Sequence, residues 1–158
     1  MTIWIDADAC PVPVREMVLR AGQRTATALV FVANSPLPIP RRTLVKTVQV
    51  PQGFDVADNY ISKHAEQNDL VITQDIPLAA EIVEKGITAL NPRGELYTQA
   101  NIRQRLAMRN LSEELRSMGQ ISGGPNKFGD KEKQNFANAL DRWLQKSKKN
   151  NPSRHLDP

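Results

Sequence analysis

Thr2-Ile3-Trp4-Ile5-Asp6-Ala7-Asp8-Ala9-Cys10-Pro11 and Asp69-Leu70-Val71-Ile72-Thr73-Gln74-Asp75 are two versions of one device, a short apolar run that stops on an aspartate. Thr2 to Ile5 is rich in β-branched residues and reads as a buried strand. A helical pattern follows it: Pro13 suits a first turn, Val14, Met17, Val18 and Ala21 recur at helical spacing, and Gly22 is expected to close the segment. Thr27 to Ala33 predicts a second strand. Asn34 to Arg42 contains three prolines and must run as an extended surface loop, because proline supplies no ladder donor. Leu44 to Val50 predicts a third strand and Val56 to Gln67 a helix that Asp55 can cap. The 69–75 run gives the fourth strand, Ile76-Pro77 opens a helix stopped by Gly86, and Ile87 to Leu90 gives a fifth strand. Strands and helices alternating in this way predict an α/β domain whose parallel sheet is covered on both faces.

Beyond the turn-rich stretch Asn91 to Thr98, a long amphipathic helix is expected over 102–118 and a last helix over 131–146, with Phe136, Ala139, Leu140 and Trp143 on one stripe. Residues 1–146 therefore read as one domain, with 147–158 a polar tail. There is no internal repeat. The chain has 158 residues, 40% of them hydrophobic and 24% charged, and no apolar run approaches the roughly 18 to 20 residues needed to cross a bilayer. Asp6 comes too early for a signal peptide, so a cytoplasmic protein without membrane association is expected. A lone cysteine, Cys10, excludes an internal disulfide, and it reads as a small buried hydrophobe rather than a reactive thiol.

The charge is uneven. Residues 1–100 carry nine Lys/Arg against eleven Asp/Glu, whereas residues 101–158 carry twelve against six. A basic part joined to an acidic one suits a nucleic-acid partner, although on charge alone solvated helix faces are the first reading. In an open parallel sheet, ligands bind beyond the carboxyl ends of the strands, where this chain places Asp6, Asp8 and Asp75. If the extended conformation persists beyond Asp6, then Asp6 and Asp8 point to the same side. Asp58 lies one turn after Asp55, so both can face one pocket, but Asp55 reads first as a cap and Asp69 as a turn residue. Several carboxylates brought together raise one another's pKa or recruit a cation. An all-oxygen set suits Mg²⁺ or Mn²⁺, with Asp6, Asp8 and Asp75 as ligands and Asp58 joining them in catalysis. Phosphodiester hydrolysis is the reaction class that follows. Asn34, Lys63, Arg93 and Lys127 are candidates to touch substrate, as is the helix after Asn101. Gly123-Gly124-Pro125-Asn126-Lys127 matches a phosphate cradle in composition only.

Ile5 to Val12, Asn34-Ser35, Gly53 to Asp58, Asp69 to Ala79, Asn91-Pro92-Arg93-Gly94 and Gly123-Gly124-Pro125 together resemble the bacterial YaiI/YqxD family, over nearly the whole chain to about Leu144. That family is grouped with PIN-like nuclease domains. The resemblance implies a three-layer α/β/α sandwich, with Asp6 and Asp8 matching the acids after the first strand, Asp75 the acid after the fourth, and Asp58 the acid of the intervening helix. The chain departs from many PIN nucleases in having Ile76-Pro77-Leu78 rather than another acid after Asp75. The expectation is a Mg²⁺- or Mn²⁺-dependent nuclease acting on RNA. Two other readings stay open: a non-catalytic nucleic-acid-binding or regulatory protein, and a phosphatase using Asp6 as nucleophile and Asp8 as acid/base.

Overall fold

The computed structural model describes residues 1–40, 42–53, 55–117 and 128–150. Its strands are β1 (Thr2–Asp6), β2 (Ala28–Ala33), β3 (Val45–Gln49), β4 (Leu70–Ile72), β5 (Thr88–Leu90) and β6 (Leu96–Tyr97). Its helices are α1 (Val12–Thr25), α2 (Val56–His64), α3 (Ile76–Glu84), α4 (Gln99–Ser117) and α5 (Asp130–Asn150). One six-stranded sheet runs β3-β2-β1-β4-β5-β6, parallel except where β6 pairs antiparallel with β5.

Alternation along each strand sorts the core into two layers. Ile3, Ile5, Leu29, Phe31, Leu70 and Ile72 face one side, where they pack with Val14 and Val18 of α1 and Phe136, Leu140 and Leu144 of α5. Val32, Val71 and Ala89 face the other side, against Ile61 of α2, Leu78, Ala79 and Ile82 of α3 and Ile102 of α4. The molecule is thus a three-layer α/β/α sandwich. Strand order changes direction at β1, since β1 to β2 moves one way and β3 to β4 crosses to the other. A uniform crossover hand then sends α1 to one face and α2 and α3 to the opposite one. The crevice left between the carboxyl ends of β1 and β4 is the switch point at which such sheets bind ligands.

Several boundaries differ from the sequence reading. Gly22 does not stop α1, which continues to Thr25 and ends at Ala26 in the left-handed region (φ 54°). Gly22 serves a close approach instead, since a Cβ there would stand 2.8 Å from Leu29 Cδ1. Helix α2 ends at His64 rather than Gln67, because Ala65 turns extended and the Asp69 carboxylate accepts from the Glu66 N–H. The same carboxylate accepts from the Thr2 N–H and Trp4 Nε1, so Asp69 joins the start of β1 to the entry of β4. The 91–98 stretch contains the unforeseen β6. Its Gly94 has φ +91°, and a Cβ would meet the Asn135 carbonyl carbon at 2.4 Å, so this turn is seated directly on α5. Gly94→Ala is expected to lower unfolding free energy by about 2 kcal/mol or more, measured by urea denaturation; an unchanged midpoint would contradict the close seating.

Candidate functional site

The parallel register pairs Ile5 with Ile72, which sets Asp6 beside Thr73 at the rim of the sheet. Thr73 connects the two strand ends: its hydroxyl donates to Asp6 Oδ2 at 2.9 Å and accepts from the Asp75 N–H at 2.9 Å. Asp75 Oδ1 in turn accepts from the Leu78 N–H and caps α3. The Thr73 carbonyl accepts from the Tyr97 hydroxyl, which itself accepts from Asn91 Nδ2. The short strand β6 thereby braces the floor of the site.

Three carboxyl groups gather above this floor. Asp55, Asp58 and Asp75 each offer an oxygen within 4.8 Å of the other two. Asp55 is at the helix start as expected, but its side chain makes no capping hydrogen bond. Its backbone lies in the left-handed region (φ 63°), and the carboxylate joins Asp58 and Asp75 instead. Burial raises the pKa of Asp58, and a hydrogen bond to Asp75 together with the charges of Asp75, Asp6 and Asp55 brings it to about 8. These causes favour the protonated form of Asp58, with Asp75 the neighbour placed to share its proton. Asp6 is buried. Burial raises its pKa too, opposed by the Thr73 hydrogen bond and aided by Asp75 and Asp8.

The set that gathers is not the expected trio of Asp6, Asp8 and Asp75. A 3-10 turn over Ala7–Ala9 bends the chain immediately after β1, so the extended conformation does not persist as far as Asp8. Asp8 is exposed and its Oδ2 accepts from the Asn34 N–H at 2.9 Å, tying the ends of β1 and β2 together; Asn34 enters the site through its backbone. Lys63 is exposed, and five residues on from Asp58 it sits about 140° around α2, away from the acids. Arg93 lies 5.9 Å over the Phe128 ring and 3.6 Å from Glu132, so it helps hold the 91–95 turn to α5. Lys127 and the Gly123-Gly124-Pro125 stretch lie outside the described residues. Cys10 is buried with its thiol pushed up to about 12 by that burial, which fits an inert core residue. His64 stacks on Tyr60 with ring centroids 4.1 Å apart.

No lysine or arginine forms an ion pair with Asp6, Asp8, Asp55, Asp58 or Asp75 among the described residues. Two full charges 4.8 Å apart, at an effective dielectric of about 20, repel by about 3 kcal/mol, more than the roughly 1 kcal/mol of a helix cap. A proton on Asp58 relieves that repulsion, and a cation would relieve it equally well. The donor set is oxygen only, with no imidazole or thiolate among the described members, which fits a hard divalent ion of the Mg²⁺ or Mn²⁺ type.

The model of a family described as "Uncharacterized BCR, YaiI/YqxD family" matches residues 4–146. The chain is 95% identical over 149 residues to a UPF0178 protein of Psychromonas ingrahamii, an alignment covering 94% of this chain and 99% of that one. It is 54% identical over 147 residues to a UPF0178 protein of Marinobacter nauticus (93% and 98% covered) and 53% identical over 148 residues to one of Yersinia pestis (94% and 97% covered). No solved structure matches it. No described helix is long and apolar enough to cross a membrane.

The raised pKa values have a sign that can be measured. Between the ordinary aspartate value of 3.8 and about 8, folded Asp58 holds a proton that the unfolded chain releases, and buried Asp6 acts in the same direction. Stability in EDTA should therefore fall as pH rises from about 4 to about 8. Asp58→Asn should flatten that slope, read from melting temperatures across the range. A wild-type curve parallel to that of the variant would mean that Asp58 titrates normally.

Proposed function

The chain belongs to the YaiI/YqxD family, and from the acids gathered at its sheet rim we propose that it is a divalent-metal-dependent nuclease hydrolysing phosphodiester bonds of RNA. The observation that carries the reading is the convergence of Asp55, Asp58 and Asp75 within 4.8 Å, with no basic partner among the described residues. Asp55, Asp58 and Asp75 would hold Mg²⁺ or Mn²⁺, which when bound supplies charge stabilisation to phosphodiester oxygens.

The chain's own groups divide the remaining work. Asp58, whose protonated form is favoured in the metal-free site, would release its proton to solvent on joining the ligand set. Asp75, fixed by the Leu78 N–H through one oxygen, offers the other without moving. Asp6 is held at a set angle by Thr73, and burial has lifted its basicity, so it is the group suited to accept a proton from an attacking water. Asp8, exposed at the rim, adds the smallest of the charges that raise Asp6. The basic excess over residues 101–158 supports a polyanionic substrate.

Asp58→Asn and Asp75→Asn should each reduce Mn²⁺-dependent cleavage of a single-stranded RNA oligonucleotide by roughly 100-fold or more, the scale on which losing one charge-stabilising group acts. Asp58→Asn should melt no lower than wild type near neutral pH, because the amide is as neutral as the protonated carboxyl and keeps a donor for Asp75. Cleavage that persists in EDTA, or survives both substitutions, would overturn the proposal. Salt-sensitive RNA binding without scission would select the non-catalytic reading instead.

A further inference from the structure

Next to Asp75 lies a groove whose charged lining is two arginines and one acid, Glu113. The groove, of about 660 Å³, begins at Ile76, the first residue of α3, and follows α4 past Gln104, Arg105, Met108, Arg109 and Ser112. These positions recur at three- and four-residue intervals and so form one stripe of the helix. Asn101 opens the same stripe, but its amide is engaged in closing the first turn of α4, accepting from the Thr98 N–H and donating to the Leu96 carbonyl. Arg105 is tied structurally to the acids. Its guanidinium lies 5.3 Å over the Tyr97 ring, the Tyr97 hydroxyl donates to the Thr73 carbonyl, and the Thr73 hydroxyl donates to Asp6. Cationic side chains thus stand beside the acidic cluster without pairing to it.

We infer that this stripe of α4 is the track for one unpaired nucleic-acid strand, leading phosphates along Arg105 and Arg109 toward the carboxyl cluster; the direction of travel rests on the nuclease reading above, the binding does not. Two guanidiniums one turn apart present planar donors to successive phosphates. Met108 between them is 57% exposed and offers an apolar surface on which a base can lie. Gln104 and Ser112 can both donate and accept, which matches base edges that are available only when the strand is unpaired. Arg105 and Arg109 do pair with Glu95 and Glu113, but those acids are half-exposed, and surface pairs of that kind yield to a phosphate. The two remaining arginines of α4, Arg103 and Arg116, leave the helix net positive against Glu113 and Glu114.

The test is fluorescence anisotropy in EDTA, using the full chain and a fluorescein-labelled single-stranded RNA of about twelve mixed-sequence nucleotides. Arg105→Gln/Arg109→Gln should weaken binding by about tenfold or more and make the slope of log K against log salt shallower by about 1.4. Met108→Ser, a charge-neutral change at a position 57% exposed, should weaken binding severalfold, while Lys46→Gln on β3 should leave it unchanged. Equal binding by wild type and both groove variants would overturn the assignment. A duplex of the same sequence bound as tightly through the same residues would overturn the single-strand part. Arginine-dependent binding without any scission in Mn²⁺ would leave the groove standing and remove the nuclease reading. Scission indifferent to the arginine pair would do the reverse.

Discussion

The hydroxyl of Thr73 is the joint on which the site turns. It can bridge Asp6 and the backbone of Asp75 only because β1 and β4 pair in parallel with Ile5 opposite Ile72, so that the residues following the strands stand side by side. That register follows from burial on both faces. Shifting either strand by one residue would turn Ile3 and Ile5, or Leu70 and Ile72, out of the layer they share with α1 and α5. The apolar pattern and the acid pattern are therefore one constraint. The side chains that must be buried fix where the carboxylates stop.

Holding acids together opposes folding, and the structure meets that opposition locally. Asp75 is stabilised by the amide ends of α3, Asp8 by the Asn34 N–H, and Asp6 by Thr73, whereas Asp58 has no comparable donor among the described residues and favours its protonated form. The site is thus prepared for positive charge and is least comfortable when fully ionised. Such a balance is common where binding a ligand, rather than maximal stability, has shaped an arrangement.

The five parallel strands, their helices and the layered architecture were legible in the sequence because period-two and period-3.6 burial leave different imprints. β6 was not, since two residues, Leu96 and Tyr97, carry no period. Asp6 and Asp75 were legible as ends of buried strands, and Asp58 as an acid in an amphipathic helix. Asp55 was read as a cap because Gly53-Phe54-Asp55 before an apolar helix has the residue types of one; its left-handed backbone, which turns the carboxylate to the cluster, is invisible to residue type. Asp8 failed for the opposite reason, an assumption that β1 stays extended where a 3-10 turn intervenes. The helix after Asn101 was legible as a basic, substrate-facing candidate, but which of its residues share a groove beside Ile76 emerges only from tertiary packing.

The carboxyl cluster is expected to exchange a proton for a divalent ion. Titrating Mn²⁺ into the protein by calorimetry at pH 7, in two buffers of different ionisation enthalpy, measures that exchange directly. The account predicts saturable binding with release of about one proton per ion, both suppressed in Asp58→Asn. Binding heats identical in the two buffers, or no saturable binding at millimolar ion, would contradict it.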